Sequence, residues 1–197
     1  RVMKFFVLVC CFLFLGISLY IDVVKWFFLA IHRKEWTEGL YVVPLFAMAN
    51  IFLGIYYNLS IWYKLKHKNM TGAIITIAGA AITIALNILL IPRLHYLGAA
   101  IATFCCYLFM MIISYSLGQK HYPVPYAKKK LLSYLVLVAV IYGAHRGLVY
   151  LWDNRWFNLG AATILFFGFC YFVVQVEGKE LVKIPLLARL FSLKKEV

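Results

Sequence analysis

The sequence predicts an all-α fold, a polytopic membrane helix bundle with six transmembrane helices, and three observations carry that expectation. Hydrophobic residues make up 65% of the chain and charged residues 14%, whereas soluble domains are roughly half apolar and a quarter charged. The mean hydropathy is +0.88. Apolar runs recur at lengths near the roughly 20 residues that cross about 30 Å of hydrocarbon. Lysine and arginine collect between those runs rather than within them.

Six segments follow in order. The first, Phe5–Ile31, is too long for one straight span, so its end around Lys25-Trp26-Phe27-Phe28 is expected to tilt or to lie in the interface. Leu40–Tyr63, Gly72–Ile91 and Leu97–Leu117 come next, then Leu131–Leu151 and a short Leu159–Val176. The third segment is expected to end before Pro92, since the ring disfavours helical geometry in the residue before it and removes a backbone donor. Gly98-Ala99-Ala100 then lets the following helix press closely on a neighbour. The polar stretch Gln119–Lys130, punctuated by Pro123 and Pro125, reads as a basic loop whose lysines set topology and can touch anionic headgroups. Residues 1–176 therefore form one six-span unit. In 177–197, Leu181, Ile184, Leu187, Leu190 and Phe191 stand among basic residues, the pattern of an amphipathic cytoplasmic tail on the inner membrane surface.

Charge sets the orientation. With a cytoplasmic N-terminus, the inner segments hold 14 of the Lys and Arg residues and the outer turns hold 5, namely Arg33, Lys34, Arg93, Arg146 and Arg155. Over short loops that asymmetry places both ends inside. Trp36, Trp62, Trp152 and Trp156 fall at span ends, where an aromatic belt is expected. The net charge of +13 does not point to nucleic acid, because the cations are dispersed between apolar runs instead of forming a basic face. The chain opens at Arg1 on an apolar segment too long for a signal peptide and without a small-residue cleavage site, and is expected to be a piece of a longer protein. Cys10, Cys11, Cys105, Cys106 and Cys170 lie in apolar segments without zinc-ligand spacing, so neither a metal nor a cofactor is expected.

Polar residues inside the spans are the candidate site. Asn50, Gly54, Tyr57 and Asn58 share one side of the second span, and Gly72, Thr76, Gly79, Ala80, Thr83 and Asn87 form a stripe on the third. Such stripes serve either as helix-packing surfaces or as the wall of a hydrated cavity that passes a polar solute. Asp22 and Lys25, three residues apart, can form an ion pair or contact substrate. His145 and Arg146 lie near the outer end of the fifth span, where Arg146 can serve as an interfacial anchor or bind a phosphate oxygen. The seven acids are scattered with Asp22 alone inside a span, which leaves no carboxylate pair for glycosyl transfer or hydrolysis and no large outer loop for a polymerase or acyltransferase.

The string from Asn87 through Ile91, Pro92, Gly98, Ala99, Ala100, Ala102 and Thr103 resembles the C-terminal half of the polysaccharide and O-antigen flippases of the multidrug/oligosaccharidyl-lipid/polysaccharide exporter superfamily, and Pro44–Tyr63 resembles that family's tenth span. His95 stands where many relatives carry glycine. The resemblance implies a two-lobed, fourteen-helix transporter in a bacterial inner membrane, of which this chain is the last six helices. It implies that undecaprenyl-pyrophosphate-linked oligosaccharide is the cargo, carried across by alternating access for O-antigen, capsule or exopolysaccharide assembly, with membrane lipids and the missing N-terminal lobe as partners. A multidrug-exporter half is the alternative within the superfamily, although such a cavity calls for acids and only Asp22 offers one.

The orientation is checked by cysteine labelling. A thiol placed at His95 is expected to react from outside and one at Lys129 only from inside; the reverse pattern rejects the topology.

Overall fold

The computed structural model describes residues 2–121, 128–151 and 155–181, with side chains at 3–121, 129–151 and 156–177. The helices are α1 (Val2–Leu19), α2 (Ile21–Ala30), α3 (Val43–Leu59), α4 (Ile61–Leu65), α5 (Asn69–Leu94), α6 (Tyr96–His121), α7 (Lys128–Leu151) and α8 (Arg155–Leu181). Two 3-10 turns, Lys34–Thr37 and Leu40–Val42, lead into α3. No strand occurs among the described residues, and the chain is an all-α polytopic bundle. Five helical stretches are long and apolar enough to cross a membrane, and the α1–α2 pair, bent by 47°, is a sixth candidate.

That bend answers the excess length of the first segment. Tyr20 has φ −98° and ψ 17°, which interrupts the helical ladder, and the N–H groups of Val23 and Val24 both return to its carbonyl at 3.0 and 3.3 Å. The 18 residues of α1 rise about 27 Å, close to the thickness of a hydrocarbon core. Beyond the break every residue from Val23 to Phe27 is exposed. The departure expected around Lys25 thus starts earlier, at Tyr20.

The chain divides within α7 into two compact units, 1–140 and 141–197. In the first, α6 packs along both α3 and α5, and α1 packs on α3. Gly98, Ala102, Cys106, Met110, Ser114 and Gly118 are all buried on α6; spaced four apart, they make one ridge along the helix. Tyr56 of α3, Ile75 of α5 and Cys106 and Met110 of α6 form the central cluster. A Cβ on Gly79 would stand 2.8 Å from Met110 Sδ and 3.2 Å from Cys106 Sγ, so the α5 backbone itself is the surface on which these sulfurs rest. The thiol of Cys106 donates to the Gly79 carbonyl at 3.2 Å. In the second unit, Ala162, Phe169 and Val173 line one buried side of α8.

Several expected boundaries shift. The third span does not end before Pro92: α5 runs through the proline to Leu94 and reverses at His95. Pro92 forfeits one bond, to the Ile88 carbonyl four residues back, while its fixed φ is helical and only Arg93 and Leu94 follow it in α5; His95 N–H still reaches the Ile91 carbonyl at 2.9 Å. The stretch expected to be a loop is helical at both ends, since α6 extends to His121 and α7 starts at Lys128. The last span is longer than expected, with α8 reaching Leu181 and taking in the start of the predicted tail. The rest of that tail, residues 122–127 and Trp152 lie outside the described residues.

Trp36 and Trp156 are 58% and 78% exposed, whereas Trp62 is only 4% exposed. Its indole N–H donates to the Ser114 carbonyl at 3.3 Å, and its ring stacks on His121 with centroids 5.5 Å apart and planes 8° from parallel. The expected belt position is corrected here: α4 turns Trp62 back onto α6, where it finds a hydrogen-bond partner that lipid does not offer.

The α5–α6 turn is tight and costly. His95 has φ 48° and ψ −123°, a region that favours glycine, and holding a side chain there costs on the order of 1–3 kcal/mol. A Cβ on Gly98 would lie 2.6 Å from the carbonyl carbon and oxygen of Leu90, and backbone yields poorly. His95→Gly is expected to stabilise the protein by roughly 1 kcal/mol. Gly98→Ala is expected to destabilise it by roughly 1–3 kcal/mol or more. Thermal unfolding in detergent checks both, and equal midpoints for the two variants would contradict this account of the turn.

Candidate functional site

Four of the polar span residues are tied to the carbonyl four positions earlier, as short polar side chains in apolar helices often are. Asn50 Nδ2 donates to the Phe46 carbonyl at 2.9 Å and Asn58 Nδ2 to that of Gly54 at 3.1 Å. Thr76 Oγ1 donates to the Gly72 carbonyl at 2.9 Å and Thr83 Oγ1 to that of Gly79 at 3.0 Å. Asn50 and Thr76 are exposed, while Asn58, Thr83 and Asn87 are half-buried. Asn87 Oδ1 is a buried atom without a hydrogen-bond partner. Tyr57 is 60% exposed.

A direct polar link from the α5 stripe to α3 comes from a residue outside the α3 stripe. Tyr56, 4% exposed, places its hydroxyl 3.3 Å from Thr76 Oγ1 and 3.2 Å from the Tyr63 hydroxyl. Because Thr76 donates to Gly72, it accepts from Tyr56, which in turn accepts from Tyr63. The result is a directed relay from α4 through α3 to the α5 backbone. The Tyr63 ring fills the space that a Cβ on Gly72 would need, 2.6 Å from Cε2. Tyr56 and Tyr63 are seven apart, two helical turns on one face, and that spacing was the available sequence signal for the pair.

The other candidates stand apart from this relay. Asp22 is half-buried in the first turn of α2, where a carboxylate complements the helix dipole, and Lys25 is exposed one turn on. In the second unit, His145 is 1% exposed with Nε2 3.4 Å from the Asn158 carbonyl. That contact makes Nε2 the donor and leaves Nδ1 without a partner, as is Asn158 Oδ1. Arg146 is exposed. Neighbours on a helix point about 100° apart, so a buried His145 turns Arg146 outward, free to meet headgroups or solute.

Among the described residues, no group of three or more His, Cys, Asp or Glu side chains is placed to hold a metal ion. No known protein family, curated protein or solved structure matches the chain.

Tyr56→Phe removes the middle of the relay and is expected to cost about 1–2 kcal/mol of stability, whereas Tyr57→Phe on the exposed side stays within about 0.5 kcal/mol. Paired denaturation curves read the contrast, and equal losses would show that the relay contributes nothing.

Proposed function

We propose that the chain is the C-terminal lobe of a transporter that flips lipid-linked oligosaccharides across a bacterial inner membrane, rather than an enzyme. The observation that carries this reading is the Asn87–Thr103 string, which resembles the signature of polysaccharide flippases and folds as the closely packed α5–α6 hairpin. The polar flanks of α3 and α5 support it. Asn50, Asn58, Thr76 and Thr83 keep unused acceptor capacity after their backbone bonds, and Asn87 Oδ1 is unpaired.

On this reading the cargo's sugar hydroxyls cross against those acceptors while its polyprenyl tail stays in the bilayer. The diphosphate needs cations, because removing it from water unpaired is prohibitive. Arg146 is an exposed cation near the outer end of α7, and one guanidinium does not neutralise a diphosphate, so most of that pairing falls to the partner lobe of the same protein. Lobe rocking about a fixed midplane site then exposes the cargo to alternate sides.

The test is rescue of surface polysaccharide in a flippase-deficient strain. The complete gene is expected to restore the polymer and the 197-residue segment alone is not. Asn58→Leu combined with Thr83→Leu in the complete protein is expected to lower export at least tenfold at unchanged membrane abundance. Drug resistance without polysaccharide rescue would overturn the substrate assignment, and full export by the double variant would reduce the stripes to packing surfaces.

A further inference from the structure

We propose that the end of the first unit formed by α4, the α4–α5 turn and the last turn of α6 is a docking surface for anionic phospholipid headgroups. This rests on the membrane-spanning class of the chain and not on the flippase reading.

Charge supplies the first argument. Residues 39–152 contain no aspartate or glutamate, so α4, α5 and α6 offer no carboxylate beside Lys64, Lys68 and Lys120. Lys64, Lys68 and Lys120 are exposed, as are His67 and His121. The opposite end differs, because Arg33 and Lys34 are followed there by Glu35 and Glu38.

Geometry makes the lysines one surface. The turn is fixed by its backbone: Lys66 N–H reaches the Trp62 carbonyl at 3.0 Å, Lys68 N–H the Tyr63 carbonyl at 2.8 Å, and His67 reverses the chain at φ 54°. Trp62 then clamps this turn to α6 through its bond to Ser114 and its stack on His121, which brings the ends carrying Lys64, Lys68 and Lys120 together. The clamp also orders the polar rim, since His121 Nδ1 is held 3.0 Å from the Leu117 carbonyl.

The apolar neighbours fix the class of ligand. Ile61, Leu65 and Met70 are 51%, 64% and 75% exposed beside the lysines. A cationic rim on an uncovered apolar wall matches an amphiphile with a negative head and acyl chains. Free phosphate would use the rim and leave the wall bare. Basic groups near an anionic membrane surface contribute about 1 kcal/mol each, roughly fivefold in affinity per lysine.

The experiment reconstitutes the full chain in phosphatidylcholine nanodiscs with increasing phosphatidylglycerol, and reads retained lipid by native mass spectrometry and the unfolding midpoint by heating. Wild type is expected to retain phosphatidylglycerol over phosphatidylcholine and to gain thermal stability with it. Lys64→Gln, Lys68→Gln and Lys120→Gln together are expected to weaken that retention at least tenfold, while the three Lys→Arg changes preserve it. Arg33→Gln, Lys34→Gln and Arg93→Gln, the same charge removed at the opposite end, should shift it less than twofold. Equal loss from both neutralised sets means diffuse net charge and overturns the proposal, as does wild-type retention by the Lys→Gln set. Displacement of the lipid by millimolar inorganic phosphate would make this a free-anion site and overturn the lipid assignment. If the triple Lys→Gln variant fails to fold, Lys64→Gln and Lys120→Gln measured singly must each cost severalfold for the proposal to stand.

Discussion

The ridge of α6 is the contact on which the first unit depends. Lipid tails are as apolar as leucine, so helices in hydrocarbon gain little from hiding apolar surface and associate instead through close packing and hydrogen bonds. The ridge supplies both. Its ends are glycines, Gly98 against the Leu90 backbone and Gly118 beneath Trp62, and its middle is the sulfur pair Cys106 and Met110 seated on Gly79. A larger side chain at Gly98 would open the contact of α6 with α5, and one at Gly118 its contact with Trp62 of α4. The exposed isoleucines of α5, such as Ile77 and Ile88, contribute nothing to this contact, and their exposure is what a surface facing lipid or another lobe requires.

Polar groups secure what packing alone would leave loose. The relay from Tyr63 through Tyr56 to Thr76 spans α4, α3 and α5, and the Trp62 indole joins α4 to α6. Short α4 has 5 residues, too few to be stable alone; its two aromatic side chains, one toward α5 and one toward α6, hold it in place. Three of the turns and helix ends use a histidine at positive φ, His32, His67 and His95, where a glycine would fit without strain. Histidine is among the non-glycine residues most often found at positive φ, mostly in the left-handed helical well, outside which His95 lies at ψ −123°; it adds polar surface where the chain leaves the apolar zone.

Composition and hydropathy made the helical, polytopic class legible, because roughly 20-residue apolar runs have few other uses. The close approach at Gly98 was also readable, from small residues in a row after a turn. Helical phase was not. Tyr56 and Tyr57 differ by one position and about 100° of rotation, and a polar stripe without known neighbours does not reveal which of the two is buried. Trp62 misled for a related reason. A tryptophan at a span end suits the membrane interface, and only the fold of α4 back onto α6 gives its N–H a carbonyl instead. Pro92 misled because the ring removes a single bond, to the carbonyl four residues behind it, and whether the helix continues past that gap depends on packing around the turn, which the sequence does not state.

The back-bonded side chains also bear on how a polar surface is kept in an apolar helix. An unsatisfied hydroxyl or amide in hydrocarbon costs several kcal/mol, which by itself would bar Thr76, Thr83, Asn50 and Asn58 from lipid-facing or alternating positions. Donation to the carbonyl four residues back meets the donor need of the two threonine hydroxyls and half that of the two asparagine amides within the helix. The acceptor lone pairs remain, and acceptors are what a hydroxyl-rich solute seeks. Such a helix face is tolerable when dry and useful when wet, so the same residues fit both packing and a transient polar passage. The distinction between the two uses lies in motion of the surrounding helices and not in the side chains themselves.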